Sequence, residues 1–379
     1  MKAARIAMGM AVLTAAHVAG AAPITPGNLL VYRVDGNGAP LGSDAAIVRI
    51  DEYALDGTLV QTITLPYTGS GNLLTGSGTA TSEGKITVSP NGRWVGVAGY
   101  NAAENTANVA SAAGIERTIA RIDTTDGSYD VSTSGPLNTG YNNARAAVFD
   151  DSGTLIWAAL HGSGSSYGVM HLTLGQTTLG TMLTSSGINT RGVRIFGGQL
   201  YEWGDATGNS GIFAVGSGLP TSGPVTLNGL PGLSGDTNLD SYGFFMADLD
   251  SSVPGYDTLW LARDTTGVSK YSLVSGTWTL NGTIDPGSVY HIDGLVRSGN
   301  AVTIAIVEGS GANNRVMLFD DLTGYNGSFS GSFIELVSAG SNNRFSGLVF
   351  AVPEPNVLAL GGLGMLIVAV VRRRRVWSA

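Results

Sequence analysis

Besides His17 near the N-terminus, the 379-residue chain has three histidines, His161, His171 and His291, the residues best suited to general-base or neutral metal-ligand work near pH 7. They are scattered, and no His-Glu-x-x-His spacing groups any two of them, so a zinc site or triad would require distant strands to converge. Hydrogen bonding inside the fold is their ordinary role. There is no Gly-x-x-x-x-Gly-Lys-Ser/Thr phosphate loop. The absence of cysteine excludes a disulfide framework, a thiolate metal site and a cysteine nucleophile together.

Carboxylates are more plentiful. Asp248, Asp250 and Asp257 fall in one turn, and Asp123, Asp126 and Asp130 in another. Calcium takes several oxygen ligands from a bent loop, so either set is a candidate calcium site, although neither follows the EF-hand pattern. The competing role is turn capping, in which an Asp side chain accepts from backbone amides two residues on. No other cofactor is expected. Tryptophans could stack on sugar rings. However, Trp94, Trp157, Trp203 and Trp260 all fall in the second strand of a repeating unit, where packing is the simpler role. Aligning Leu155 with Leu259 puts Trp157 and Trp260 one residue out of register, on opposite faces.

The elements that must carry these residues are strands. Fifty-six glycines, abundant Thr, Ser and Val, and little helical periodicity predict an all-β body. A degenerate unit recurs: a polar opening, an apolar strand, a turn and a second apolar strand. Its clearest copies are Gly84 to Ala98, with the turn Pro90-Asn91-Gly92, and Arg145 to Ala159, with Asp151-Ser152-Gly153. Weaker copies are Arg191 to Trp203, Tyr242 to Arg263 and Ile292 to Val307. A spacing of roughly 45 to 60 residues is that of a four-stranded propeller blade. Asn343 to Phe350 reads as one more opening strand. Leu29 to Asp35, Ala46 to Tyr53 and Leu59 to Leu65 read as a blade without its first strand. Joining the two ends closes the ring and removes two exposed edges. The expectation is therefore a β-propeller domain over 28–350 with six four-stranded blades, five or seven being the neighbouring counts. A pair of β-sandwiches is the rival architecture.

Both termini carry export features. Lys2 and Arg5 precede an apolar stretch from Ile6 to Ala16, and Ala19-Gly20-Ala21 is a small-x-small cleavage site, giving a signal peptide over 1–21. At the other end, Val352-Pro353-Glu354-Pro355 precedes an uncharged run, Asn356 to Val371, and the cluster Arg372, Arg373, Arg374, Arg375. An apolar run followed by arginines is a membrane stop, and its 16 residues fall short of the roughly 20 of a durable span. The order of these three parts resembles the PEP-CTERM sorting signal of Gram-negative bacteria that secrete exopolysaccharide. The resemblance covers 352–379. It implies a transient transmembrane helix over 356–371, recognition by exosortase, an integral-membrane cysteine protease, and release of the body to the cell surface or extracellular matrix.

Setting aside Lys2, Arg5 and the four C-terminal arginines leaves 14 basic residues against 28 acidic ones. Such a body repels nucleic acid. The combined expectation is a secreted, non-enzymatic binding or structural protein. Its expected partners are exosortase and the inner membrane during sorting and extracellular polysaccharide or biofilm afterwards. The alternative is a secreted hydrolase or lyase acting at the propeller's central channel.

Overall fold

The computed structural model describes residues 21–138, 140, 142–160, 168–184, 189–204, 210–234 and 239–352. The forecast transmembrane helix over 356–371, Pro353, Glu354, Pro355, the four arginines and most of the expected signal peptide, including Ala19, lie outside these residues. Among the described residues no helix is long and apolar enough to cross a membrane. Ala21 and Val352, the first and last described residues, are both partly buried.

The architecture is all-β and propeller-like. Its strands are β1 (Leu29–Asp35), β2 (Ala45–Tyr53), β3 (Leu59–Thr64), β4 (Thr75–Ser77), β5 (Thr87–Val88), β6 (Trp94–Asn101), β7 (Glu116–Asp123) and β8 (Tyr129–Gly135). They continue with β9 (Ala144–Phe149), β10 (Leu155–Leu160), β11 (Val169–Thr173), β12 (Thr181–Met182), β13 (Thr190–Phe196), β14 (Gln199–Gly204), β15 (Gly211–Val215) and β16 (Leu227–Ser234). The last nine are β17 (Ser241–Ala247), β18 (Thr258–Arg263), β19 (Gly267–Val274), β20 (Thr277–Ile284), β21 (Val289–Val296), β22 (Val302–Glu308), β23 (Arg315–Asp321), β24 (Ile334–Ser338) and β25 (Asn343–Phe350). The hairpin turns have the required chemistry: Gly92 and Gly153 sit at φ +82° and +69°, and Asp150 caps its turn by accepting from the Thr154 and Leu155 amides, each at 3.0 Å.

Four sheets are separate antiparallel blades: β9–β12, β13–β16, β17–β20 and β21–β24. The rest differs from the expectation of six separate four-stranded sheets. One nine-stranded sheet runs β25-β1-β2-β4-β6-β7-β8, with β3 on β2 and β5 on β6. The weld is β4, in a stretch whose glycine and serine content reads as a plain loop. Ala45 to Ile47 pair with Ser77 to Thr75 on one side, and Thr75 pairs with Tyr100 on the other. The chain ends meet in the same sheet, since β25 lies antiparallel to β1 from Leu29↔Phe350 to Asp35↔Asn343.

The apolar core is divided among the spaces between neighbouring sheets. One cluster joins Trp203, Phe244, Trp260 and Ile304, another joins Val148, Trp157, Val193 and Leu200, and a third joins Val31, Phe345 and Val307. The innermost strands β5, β9, β13, β17, β21 and β25 each touch the next, and β25 touches β5, so they form a closed cycle.

Candidate functional site

The inner cycle positions one large polar side chain at the same place on five of its strands, and a sixth just before the remaining one. In β9, β13, β17, β21 and β25 it is the second residue: Arg145, Arg191, Tyr242, Tyr290 and Arg344. The sixth place is Lys85, just before β5, whose amide donates to the Arg145 carbonyl at 2.9 Å. Lys85, Arg145, Arg191 and Arg344 are only 1%, 4%, 9% and 2% exposed. Buried cations need partners. Arg145 Nη1 donates to Asn189 Oδ1 and the Thr190 carbonyl, both at 2.6 Å, and Arg344 Nη2 donates to the Ala80 carbonyl at 3.0 Å. Lys85 Nζ donates to the Tyr290 carbonyl across the cycle. Lys85, Arg145 and Arg344 are thus stapled to the backbone of another strand or segment.

Aromatic faces complete the ring. The Arg191 guanidinium lies 3.8 Å from the Tyr242 ring centre and Lys85 Nζ lies 5.4 Å from it, while Tyr242 meets Tyr290 edge to face at 4.9 Å. Burial, and then the charges of Arg191, Arg344 and Arg145, push the Lys85 ammonium well below its ordinary pKa. Burial and then Arg191 lower Arg145 to about 10, which still leaves it charged at neutral pH. Glu83 is the carboxylate nearest this side, accepting from the Ser77 amide at 3.0 Å, Asn143 Nδ2 at 2.8 Å and the Tyr100 hydroxyl, and burial raises its pKa. Asp240 and Asp264 lie on the Tyr242 side.

One step along the same strands, Arg194 donates to Asp293, whose other oxygen accepts from the Phe350 amide at 2.8 Å. His291 is buried beside them, and burial together with Lys85 and Arg194 holds its imidazole well below the usual range, in the neutral form. Its ring lies against the Leu348 backbone without closing a hydrogen bond of good geometry. His171 instead packs beside Trp157, with ring centres 5.7 Å apart, and His161 lies outside the described residues.

Of the aspartates singled out as calcium candidates, Asp123, Asp126, Asp130, Asp250 and Asp257 accept hydrogen bonds within their own turns. Asp257 is buried and accepts from the Leu249 and Asp250 amides and Thr258 Oγ1, while Asp250 accepts from Ser252. Asp248 is exposed. Asp123 holds Arg93 at 2.8 Å and the Thr125 amide at 2.9 Å, and Asp126 and Asp130 accept from the Ser128 and Ser132 amides. No group of three or more metal-ligating side chains converges among the described residues.

The tryptophans pack between sheets, but not on opposite faces. Trp94 Nε1 donates to the Asp151 carbonyl, Trp157 Nε1 to the Pro220 carbonyl and Trp260 Nε1 to Asp321, and Trp203 meets Phe244 at 5.5 Å. All four therefore face the following sheet. The Leu155–Leu259 alignment fails because Trp157 and Trp260 are each the third residue of their strand.

Sequence reading named the polar openings of the repeats but did not group them; a cation or tyrosine recurring at one place in the repeat was the available signal. Tyr290 was missed because that copy was read from Ile292.

No family profile and no curated protein matches the chain. Among solved structures, a chain of the nidogen/laminin complex covers 86% of this chain and 99% of its own length at 13% identity, with a TM-score of 0.51. A puromycin hydrolase S511A mutant covers 76% of this chain and 44% of its own at 12% identity and a TM-score of 0.42. A 6-phosphogluconolactonase-like protein from Bacteroides uniformis covers 85% and 100% at 11% identity and a TM-score of 0.38. Only the first reaches the level of a shared fold, and this chain shares with it a propeller-like all-β arrangement.

Proposed function

We propose that this chain is an exported, non-enzymatic binding propeller, delivered to the cell surface or matrix by its C-terminal tail, with the inner ring of cations and tyrosines as its binding site. The delivery reading rests on the tail sequence, Val352-Pro353-Glu354-Pro355, the uncharged run to Val371 and Arg372 to Arg375, whose resemblance to a PEP-CTERM signal implies handling by exosortase. The binding reading rests on the recurrence of Lys85, Arg145, Arg191, Tyr242, Tyr290 and Arg344 at one place in the repeat. Extracellular polysaccharide is the natural surrounding for such a protein.

Six blades is the count we favour. The nine-stranded sheet divides into β25-β1-β2-β3 and β5-β6-β7-β8, with β4 between them, and the inner cycle has six members. A hydrolase or lyase at the channel has less support at Glu83, occupied by three donors, and at Asp293, occupied by Arg194 and the Phe350 amide, and would have to use Asp264, whose Oδ1 is buried without a hydrogen-bond partner. A general acid or nucleophile needs a carboxylate with free lone pairs facing substrate.

The test is the intact mass of the protein recovered from its own host. A chain ending near Val352 to Pro355 in the extracellular fraction is the expected result. Full-length chain in the inner membrane, with Arg372 to Arg375 intact, would make it a permanently tethered envelope protein instead.

A further inference from the structure

We propose that the inner ring holds one small oxyanion between Lys85, Arg145, Arg344 and Ser346: a phosphate, a sulfate or the carboxylate of an acidic sugar. The inference rests on the reading of the ring as a binding site and names its ligand class. The four side chains lie on three consecutive inner segments. Arg344 and Ser346 lie two residues apart on β25, where the pairing with β1 is irregular between Phe345 and Gly347, and each is only 2% exposed. Gly84 brings Ser346 beside Lys85, for a Cβ placed on Gly84 would lie 2.6 Å from the Ser346 Cβ. Lys85 is joined through its amide to Arg145.

Charge and hydrogen bonding both leave this cluster incomplete. Arg194 is answered by Asp293, but on the side of Lys85, Arg145 and Arg344 the nearest carboxylate among the described residues is Glu83, already shared by three donors. Two buried guanidinium groups and the Lys85 amine, whose charged form burial and those guanidiniums disfavour, face one carboxylate, an imbalance that an anion relieves. Among the described residues, Arg145 Nε, Arg344 Nε and Ser346 Oγ are buried without a hydrogen-bond partner. A buried donor left unmade costs about 1–3 kcal/mol, and charge-assisted bonds from guanidinium to oxyanion are the strong kind. The alternative is that the cations only staple the inner strands through backbone carbonyls.

The experiment is calorimetric titration of the full chain with inorganic phosphate, sulfate and glucuronate, at constant ionic strength set by sodium chloride. One saturable site per chain is expected, weakened roughly tenfold or more in Arg344→Gln and unchanged in Arg93→Gln, which alters a cation whose side chain is 42% exposed. Tighter binding of phosphate or sulfate would identify a free oxyanion, and tighter binding of glucuronate an acidic sugar. Should Arg344→Gln fail to fold, the unaltered chain still decides: sulfate should raise its melting temperature saturably above the effect of chloride. No binding of any of the three, a sulfate effect equal to that of chloride, or undiminished binding by folded Arg344→Gln would overturn the proposal. None of these results would bear on the mass of the secreted chain, so the delivery reading stands or falls separately.

Discussion

At the scale of single residues, the molecule tolerates an unusual number of buried ionisable groups, and each is settled differently. Lys270 is fully buried but lies 2.8 Å from Asp321, which also accepts from Trp260, so charge and hydrogen bonds close on themselves. Glu202 has no cation beside it among the described residues; Thr184 Oγ1 donates to it at 3.2 Å, and burial pushes its pKa up to about 8. The folded chain therefore keeps a proton on Glu202 that the unfolded chain releases near pH 4.5. Its contribution to stability is full below that pH and is lost as pH rises toward 8, at no more than about 1.4 kcal/mol per pH unit. Glu202→Gln should match the parent near pH 5 and exceed it near pH 8 in urea unfolding. Parallel pH dependences for the two proteins would show that Glu202 ionises freely in the fold.

At the scale of elements, the inner strands approach so closely that side chains are excluded at particular points. A Cβ on Gly347 of β25 would sit 2.0 Å from the Gly84 carbonyl oxygen, so glycine is what lets the last strand dock beside the segment before β5. Gly347→Ala must displace backbone, and overpacking of this kind typically costs about 1–3 kcal/mol or more. Chemical denaturation should show that loss, whereas Gly71→Ala, with open space around it, should be close to neutral. Equal midpoints for the two variants would mean that the junction is looser than its geometry. The tryptophans make the same point about register. Trp157 and Trp260 face one way because strand position, not the nearest leucine, sets the face.

At the scale of the whole molecule, closure joins residues more than three hundred positions apart. The β1–β25 ladder ties the first and last strands into one sheet and pairs the edge that β1 would otherwise expose, while β25 lies against β21 and β5 in the inner cycle. A chain ending at Gly340 should lose more than the contacts of one strand: the core around Val31, Phe345 and Val307 opens and β1 becomes an edge. The expected outcome is aggregation or broadened, non-cooperative thermal unfolding, read by near-UV circular dichroism. A cooperative transition at the parent temperature would show that the inner ring does not depend on closure.

The sequence alone determined the all-β class, the strand-turn-strand repeat and the strands at both ends, because alternation and glycine turns act over a few residues. Leu29–Asp35 and Asn343–Phe350 are strands with the bounds expected. The bridge β4 was hidden, since Thr75–Ser77 sits in a glycine-rich stretch whose pairing depends on Ala45 to Ile47 and Tyr100. Local composition could suggest calcium at Asp123 or Asp257, but only the fold showed those carboxylates facing their own turn amides. Only tertiary structure decided that Lys85, Arg145, Arg191 and Arg344 share one ring. Each is a single polar residue at the start of an apolar strand, and their common burial arises only when distant inner strands close into a cycle.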